Sequence, residues 1–110
     1  MPTAVIYVPA TAHTKSGHPE NQGRINKILP FLDQAGMLAN LHLLEPVAAT
    51  IKQLRRVHSA TLIERIREAV AAGGGALDHG DTYATPESFD LARLAVGATI
   101  TAVDQIMTGQ

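Results

Sequence analysis

With 110 residues, 45% of them hydrophobic and 17% charged, the chain has the composition of one small globular domain rather than a disordered segment. Nine basic against ten acidic side chains leave a formal charge of −1, which excludes a broad electrostatic pull on nucleic acid or an acidic membrane. Cysteine is absent, so disulfides and thiolate metal sites are excluded as well.

The start, Met1-Pro2-Thr3-Ala4, has no basic targeting region. The apolar run Ala4–Val8 is too short for a signal core or a membrane span. A cytoplasmic, membrane-free protein is expected. That run is β-prone, ends at Pro9 and does not alternate, which suits a strand covered on both faces in a parallel sheet. A polar loop follows to Pro19. From about Asn21 the period turns helical, with Ile25, Ile28, Leu29, Leu32 and Ala35 on one face and Gly36 placed to stop it. Pro30 removes a backbone donor inside that helix and is expected to bend it.

Leu41–Leu44 reads as a second strand, closed by Pro46. Thr50 and Gln53 form a capping-box pattern that opens a brief helix to about Val57. Ser59 caps the next helix, whose expected buried face is Leu62, Ile63, Ile66 and Val70; Gly73-Gly74-Gly75 ends it. Residues 76–84 read as a loop. Thr85 as N-cap and Pro86 at the first helical position start a last helix to about Thr108.

This last helix carries a narrow polar stripe, Asp90, Arg93, Gly97, Thr101, Asp104 and Thr108, and is apolar or small over most of its remaining girth. Such a helix is expected to be buried from several sides. The order predicts a single α/β domain over residues 1–110, with a short parallel two-stranded sheet, a right-handed crossover and about four helices. Two parallel strands make a poor free-standing sheet, so open strand edges and apolar helix surface are expected to need a cover. Self-association as a symmetric dimer is the simplest one.

Three motifs punctuate the chain: Gly17-His18-Pro19-Glu20 followed by Gly23-Arg24; Val57-His58-Ser59; and Leu77-Asp78-His79-Gly80-Asp81-Thr82-Tyr83 leading into Thr85-Pro86-Glu87-Ser88-Phe89. Read bottom-up, His18 and Glu20 fix a loop and cap a helix, Arg24 pairs with a carboxylate, His58 packs at a helix start, and Asp81 forms a turn. A metal reading draws on His13 and His18, five apart, and on the local Asp78, His79 and Asp81. There is no Gly-x-Ser-x-Gly elbow, and the glycine run has no Lys after it, so neither a nucleophile elbow nor a phosphate loop is present. Lys52, Arg55 and Arg56 read as a solvated helix face.

In order and spacing these motifs resemble the opening of the histone deacetylase and acetylpolyamine amidohydrolase superfamily, from about Val5 to Gly109, in a style closer to bacterial and class II-like members. The resemblance implies the N-terminal part of an arginase–deacetylase-like fold. It implies that Asp81 sits at the rim of a complete active site and accepts hydrogen bonds from the substrate backbone, and that Arg24 lines an inner channel suited to a small carboxylate. His18, Pro19, Glu20, His58, Ser59, Asp78, Thr82 and Tyr83 fall on motif or structural positions.

Complete members, by the same resemblance, hydrolyse acetyl-lysine or acetylpolyamine amides with a zinc-bound water, a histidine pair and a tyrosine. Their zinc ligands, an Asp-x-His and a distant Asp, lie further along, and their histidine pair follows Arg-Pro-Pro-Gly. No Arg-Pro-Pro-Gly-His-His segment occurs here. The local Asp78-His79-Gly80-Asp81 loop is a different loop from the family's ligand set. The expectation is therefore no catalytic residue, no metal ligand and no cofactor in this chain, which is inactive alone. Three readings follow: an N-terminal segment of a deacetylase-family protein, half of a split enzyme completed by a C-terminal chain, or a free-standing interaction module.

Overall fold

Strand β1 (Thr3–Ile6) lies parallel to β2 (Leu41–Leu44), with Thr3 opposite Leu41 and Ile6 opposite Leu44. The computed structural model describes residues 3–9, 12–19, 22–78 and 82–109. Between the strands the predicted single helix is two, α1 (Gly23–Asn26) and α2 (Ile28–Gln34), interrupted at Lys27. The break follows from Pro30. Its missing N–H and its ring exclude the bond to Asn26, four residues back, so the helix restarts with Pro30 in a first turn that needs no donor. The Tyr7 hydroxyl, 3.3 Å from Asn26 Oδ1, ties the end of β1 to α1.

Helix α2 stops as its sequence dictates. Gly36 takes φ +72°, its N–H donates to the Asp33 carbonyl and that of Met37 donates to the Leu32 carbonyl. These are the paired bonds of a Schellman stop. A 3₁₀ turn at Leu38–Asn40 leads into β2.

After β2 the chain forms α3 (Ile51–Leu54) and α4 (Ala60–Ala71). Thr50 and Gln53 make both bonds of the capping box, and the Ser59 hydroxyl accepts from the Leu62 N–H. Helix α3 ends at Leu54, short of the expected Val57. Gly73 and Gly74 repeat the Schellman bonds, to the carbonyls of Val70 and Ala69.

The segment read as a loop contains two short strands, β3 (Gly75–Ala76) and β4 (Tyr83–Ala84), paired antiparallel. Two residues per strand carry no periodicity to read. The pairing rests on tertiary fit: a Cβ on Gly74 would meet the Ala84 carbonyl oxygen, so only glycine lets these backbones approach.

Helix α5 (Ser88–Met107) opens two residues later than Pro86. Residues 85–88 form a tight turn first. The Ser88 N–H donates to the Thr85 carbonyl, and the Thr85 N–H donates back to Ser88 Oγ at 2.7 Å.

The core is small: Ala49, Leu54 and Ile63, backed by Ile51, Phe89 and Ile100. Of the expected α4 face, Ile63 is buried while Leu62 stays exposed. Helix α5 departs most from expectation. Its buried positions are Gly97, from the polar stripe, and Ala98, while Val103, Ile106 and Met107 are exposed. Two residues of the stripe, Arg93 and Gly97, make a contact surface. The Arg93 Nε donates to the Ala49 carbonyl at 2.8 Å, and the Ala49 N–H donates to the Arg93 carbonyl at 2.9 Å. A Cβ on Gly97 would fall onto the Val47 carbonyl oxygen, so the loop between β2 and α3 rests directly on the helix backbone.

The sheet is not covered on both faces as its sequence predicts. No residue of β1 or β2 is buried. The radius of gyration is 16.0 Å, against about 13 Å for a compact chain of this length. The accessible surface is 7851 Å², against about 5,900 Å² for a folded protein of this mass. The expectation of strand and helix surface left without cover thus agrees with the structure.

Candidate functional site

The first and third motifs meet around one phenol. The loop of residues 12–19 brings His13 against Tyr83 of β4, with ring centroids 4.6 Å apart and planes within 6°. His18 approaches the same ring at 5.1 Å, tilted by 57°. All three side chains are half-buried. Gly17, at φ +76°, makes the bend before His18, whose N–H donates to the Lys15 carbonyl at 3.1 Å.

Ser88 anchors the cluster. Its hydroxyl oxygen lies 2.6 Å from His13 Nδ1 and 2.9 Å from Thr85 Oγ1, and accepts the Thr85 N–H. A serine hydroxyl has one proton and two lone pairs, so these three contacts saturate it. The proton order is coupled: if His13 Nδ1 donates to Ser88, then Ser88 donates to Thr85, and the reverse holds when Nδ1 accepts. A chain of this kind can fix a tautomer and hold a loop.

The third motif is pinned from α4. Arg65 donates to the Leu77 carbonyl at 2.9 Å, and the Leu77 N–H donates to the Thr82 carbonyl at 2.9 Å. Asp78 and Thr82 are exposed, and Asp78 has a polar partner. Asp81, the residue expected at a substrate rim, lies outside the described residues, as do His79 and Glu20.

Arg24 stands in α1 with its side chain exposed and partnered, as His18 is also partnered. His58 and Ser59 sit apart from the Tyr83 cluster, at the start of α4. His58 borders a cavity of about 130 Å³ lined also by Leu54, Ile63, Phe89 and Arg93. Arg67 covers the Phe89 ring, its guanidinium carbon 5.7 Å from the centroid.

Sequence reasoning considered His13 only as a metal ligand and passed over Ser88. The Thr85-x-x-Ser88 spacing was a readable signal of a polar bond back onto the turn; the partnership with His13, 75 residues away, was not.

Among the described residues no group of three or more His, Cys, Asp or Glu side chains converges to hold the zinc that the resemblance implies; His79 and Asp81 of the metal reading lie outside them. His13 meets a phenol and a serine, and two imidazoles fall short of the three protein ligands of a catalytic zinc. No catalytic step is therefore routed through a metal on these residues.

Residues 18–110 match the histone deacetylase domain family. The chain is 36% identical over 104 residues to a probable deacetylase of Methanothermobacter thermautotrophicus, covering 94% of this chain and 30% of that protein. It is 35% identical over 105 residues to a histone deacetylase-like amidohydrolase of Pseudomonas aeruginosa, covering 96% of this chain and 26% of that one. The crystal structure of the HDA15 HD domain superimposes with a TM-score of 0.84 at 23% identity, over 97% of this chain and 32% of that chain. The chain thus spans about a third or less of these relatives, and the superposition carries the fold. No described helix is long and apolar enough to cross a membrane. With a family match that takes in all but the first 17 residues, and motifs and fold that agree with it, this chain belongs to the histone deacetylase family.

Proposed function

We propose that these residues serve as the N-terminal part of a zinc-dependent cytoplasmic amidohydrolase acting on acetyl-lysine or acetylpolyamine amides, and that they are inactive alone. The observation that carries this reading is the uncovered apolar surface. Val103, Ile106 and Met107 of α5 are exposed and no residue of the sheet is buried, so the layers that a doubly covered parallel sheet requires are incomplete. The remaining two thirds of a family domain would supply those layers, together with the zinc ligands and the histidine pair. The names of the relatives, a probable deacetylase and a deacetylase-like amidohydrolase, point to the same chemistry.

In that assembly Asp81 holds the substrate backbone and Arg24 faces the inner channel. A chimera tests this: residues 1–110 replace the aligned segment of the Methanothermobacter protein. Zinc-dependent hydrolysis of an acetyl-lysine peptide is expected to survive, and Asp81→Ala is expected to lower kcat/KM about tenfold or more, the cost of removing a charged hydrogen-bond acceptor. A folded, zinc-loaded chimera that ignores Asp81→Ala would remove the assigned role.

A second reading is favoured by the same surface. When no other polypeptide covers it, the face of Val103, Ile106 and Met107 drives homodimerisation. The surface excess of about 2,000 Å² exceeds the roughly 800 Å² that each partner of a standard interface buries. Sedimentation of the 110-residue chain at rising concentration is expected to show dimer; monomer throughout would end this reading.

A further inference from the structure

We propose that His13 is a positioning residue for β4 and the first turn of α5, acting through Tyr83 and Ser88. Its importance for substrate rests on the reading above; the contacts themselves do not.

The argument starts from what holds β4. The strand has two residues, too few for a ladder to fix. One side is secured by the β3 pairing and by Arg65 on the Leu77 carbonyl. The other side meets the loop of residues 12–19, which has no regular structure of its own. Across that side His13 does two things at once. Its ring lies flat on Tyr83, the residue two positions past Asp81 in the chain, and its Nδ1 shares a proton with Ser88 in the first turn of α5.

Ser88 in turn holds Thr85 through both the backbone N–H and the hydroxyl. One imidazole therefore spans the strand on one side of Thr85 and the helix on the other, and fixes the angle between them. His18 meets the phenol at a tilt of 57°. His13 bridges: it lies flat on the phenol and bonds to the first turn of α5.

The chain has two tyrosines and no tryptophan, which gives the test a clean signal. In a Tyr7→Phe background Tyr83 is the sole emitter. The His13 ring lies over one face of that phenol, so His13→Ala is expected to steepen the quenching of Tyr83 emission by acrylamide. In the same variant, exchange of the Leu77 amide, which donates to Thr82, is expected to accelerate about tenfold, a shift matching one lost aromatic pair or hydrogen bond. The Ile63 amide, which donates to Ser59, is expected to keep its wild-type rate. His13→Phe, which retains a flat ring without Nδ1, is expected to recover part of the Leu77 protection.

The proposal is overturned if His13→Ala leaves acrylamide quenching of Tyr83 unchanged, if Leu77 exchange does not change, or if Ile63 accelerates equally, since the effect is then global. None of these readouts uses a substrate, so they stand or fall separately from the deacetylase assay.

Discussion

Among the described residues every buried apolar side chain falls between Val47 and Ala98 and none in the remainder, although Val57, at 82% exposure, shows that the first region leaves apolar residues in water too. In the first, Ala49, Leu54, Ile63, Ala84 and Ala98 are buried, and the loop before α3 is clasped to α5 by Arg93 and Gly97. In the second, Phe31 at 67% exposure, Leu43 at 57% and Ile106 at 76% face outward. The same residue types appear in both, so hydrophobicity alone does not decide burial. What differs is whether a second surface from this chain arrives to meet them.

The sharpest way to break this comparison is Gly97→Ala. A methyl there would overlap the Val47 backbone, which cannot swing away as a side chain would. A loss of about 3 kcal/mol in urea unfolding is expected, at the upper end of overpacking effects. Gly36→Ala is the control, with open space around it but φ +72°, and is expected to cost about 1 kcal/mol. Equal effects at the two sites would mean that the loop does not rest on α5.

Next in size, Arg93→Met keeps the aliphatic stem but leaves the buried Ala49 carbonyl without its side-chain donor. A loss of about 2 kcal/mol is expected, in the range for hydrogen bonds from charged groups. Denaturant titration followed by circular dichroism would read it, and an unchanged midpoint would refute the clasp.

Ser59→Ala removes the cap of α4, on the closed side of the molecule, and is expected to cost about 1 kcal/mol. Restoration by Ser59→Asp, read in the same melt, would tie the loss to the cap.

The smallest stability effect is expected on the open side. The double change Ile106→Lys and Met107→Lys is expected to alter unfolding by no more than about 0.5 kcal/mol, since both side chains are already in water. It is expected to abolish binding of an apolar-surface dye and concentration-dependent sedimentation. A large loss of monomer stability would show that the face is closed after all.

Much of the fold was legible residue by residue. Thr50 with Gln53, Ser59 before α4, and Gly36 and Gly73 after their helices stood where the caps and stops form. Strand β2 begins and ends at the residues read for it. Pro30 was seen as a flaw, though its consequence, two helices instead of a bent one, depended on the bond it denies to Asn26. Of the candidate site, the motif residues were legible and the family followed from them. The joining of His13 to Tyr83 and Ser88 was not, because it links loops about 70 residues apart in the chain.

The sequence by itself determined the local events: where helices start and stop, which runs are extended, and which motifs mark the family. Each depends on groups within about four residues of one another, whose geometry the backbone fixes before any distant contact forms. Only the tertiary structure decided that Arg93 and Gly97 of the polar stripe of α5 make a contact while Val103, Ile106 and Met107 of its apolar girth stay bare. Burial is a property of two surfaces, and periodicity describes only one of them. Arg93 and Gly97 read as part of a narrow polar stripe until the Val47–Ala49 backbone is laid across them.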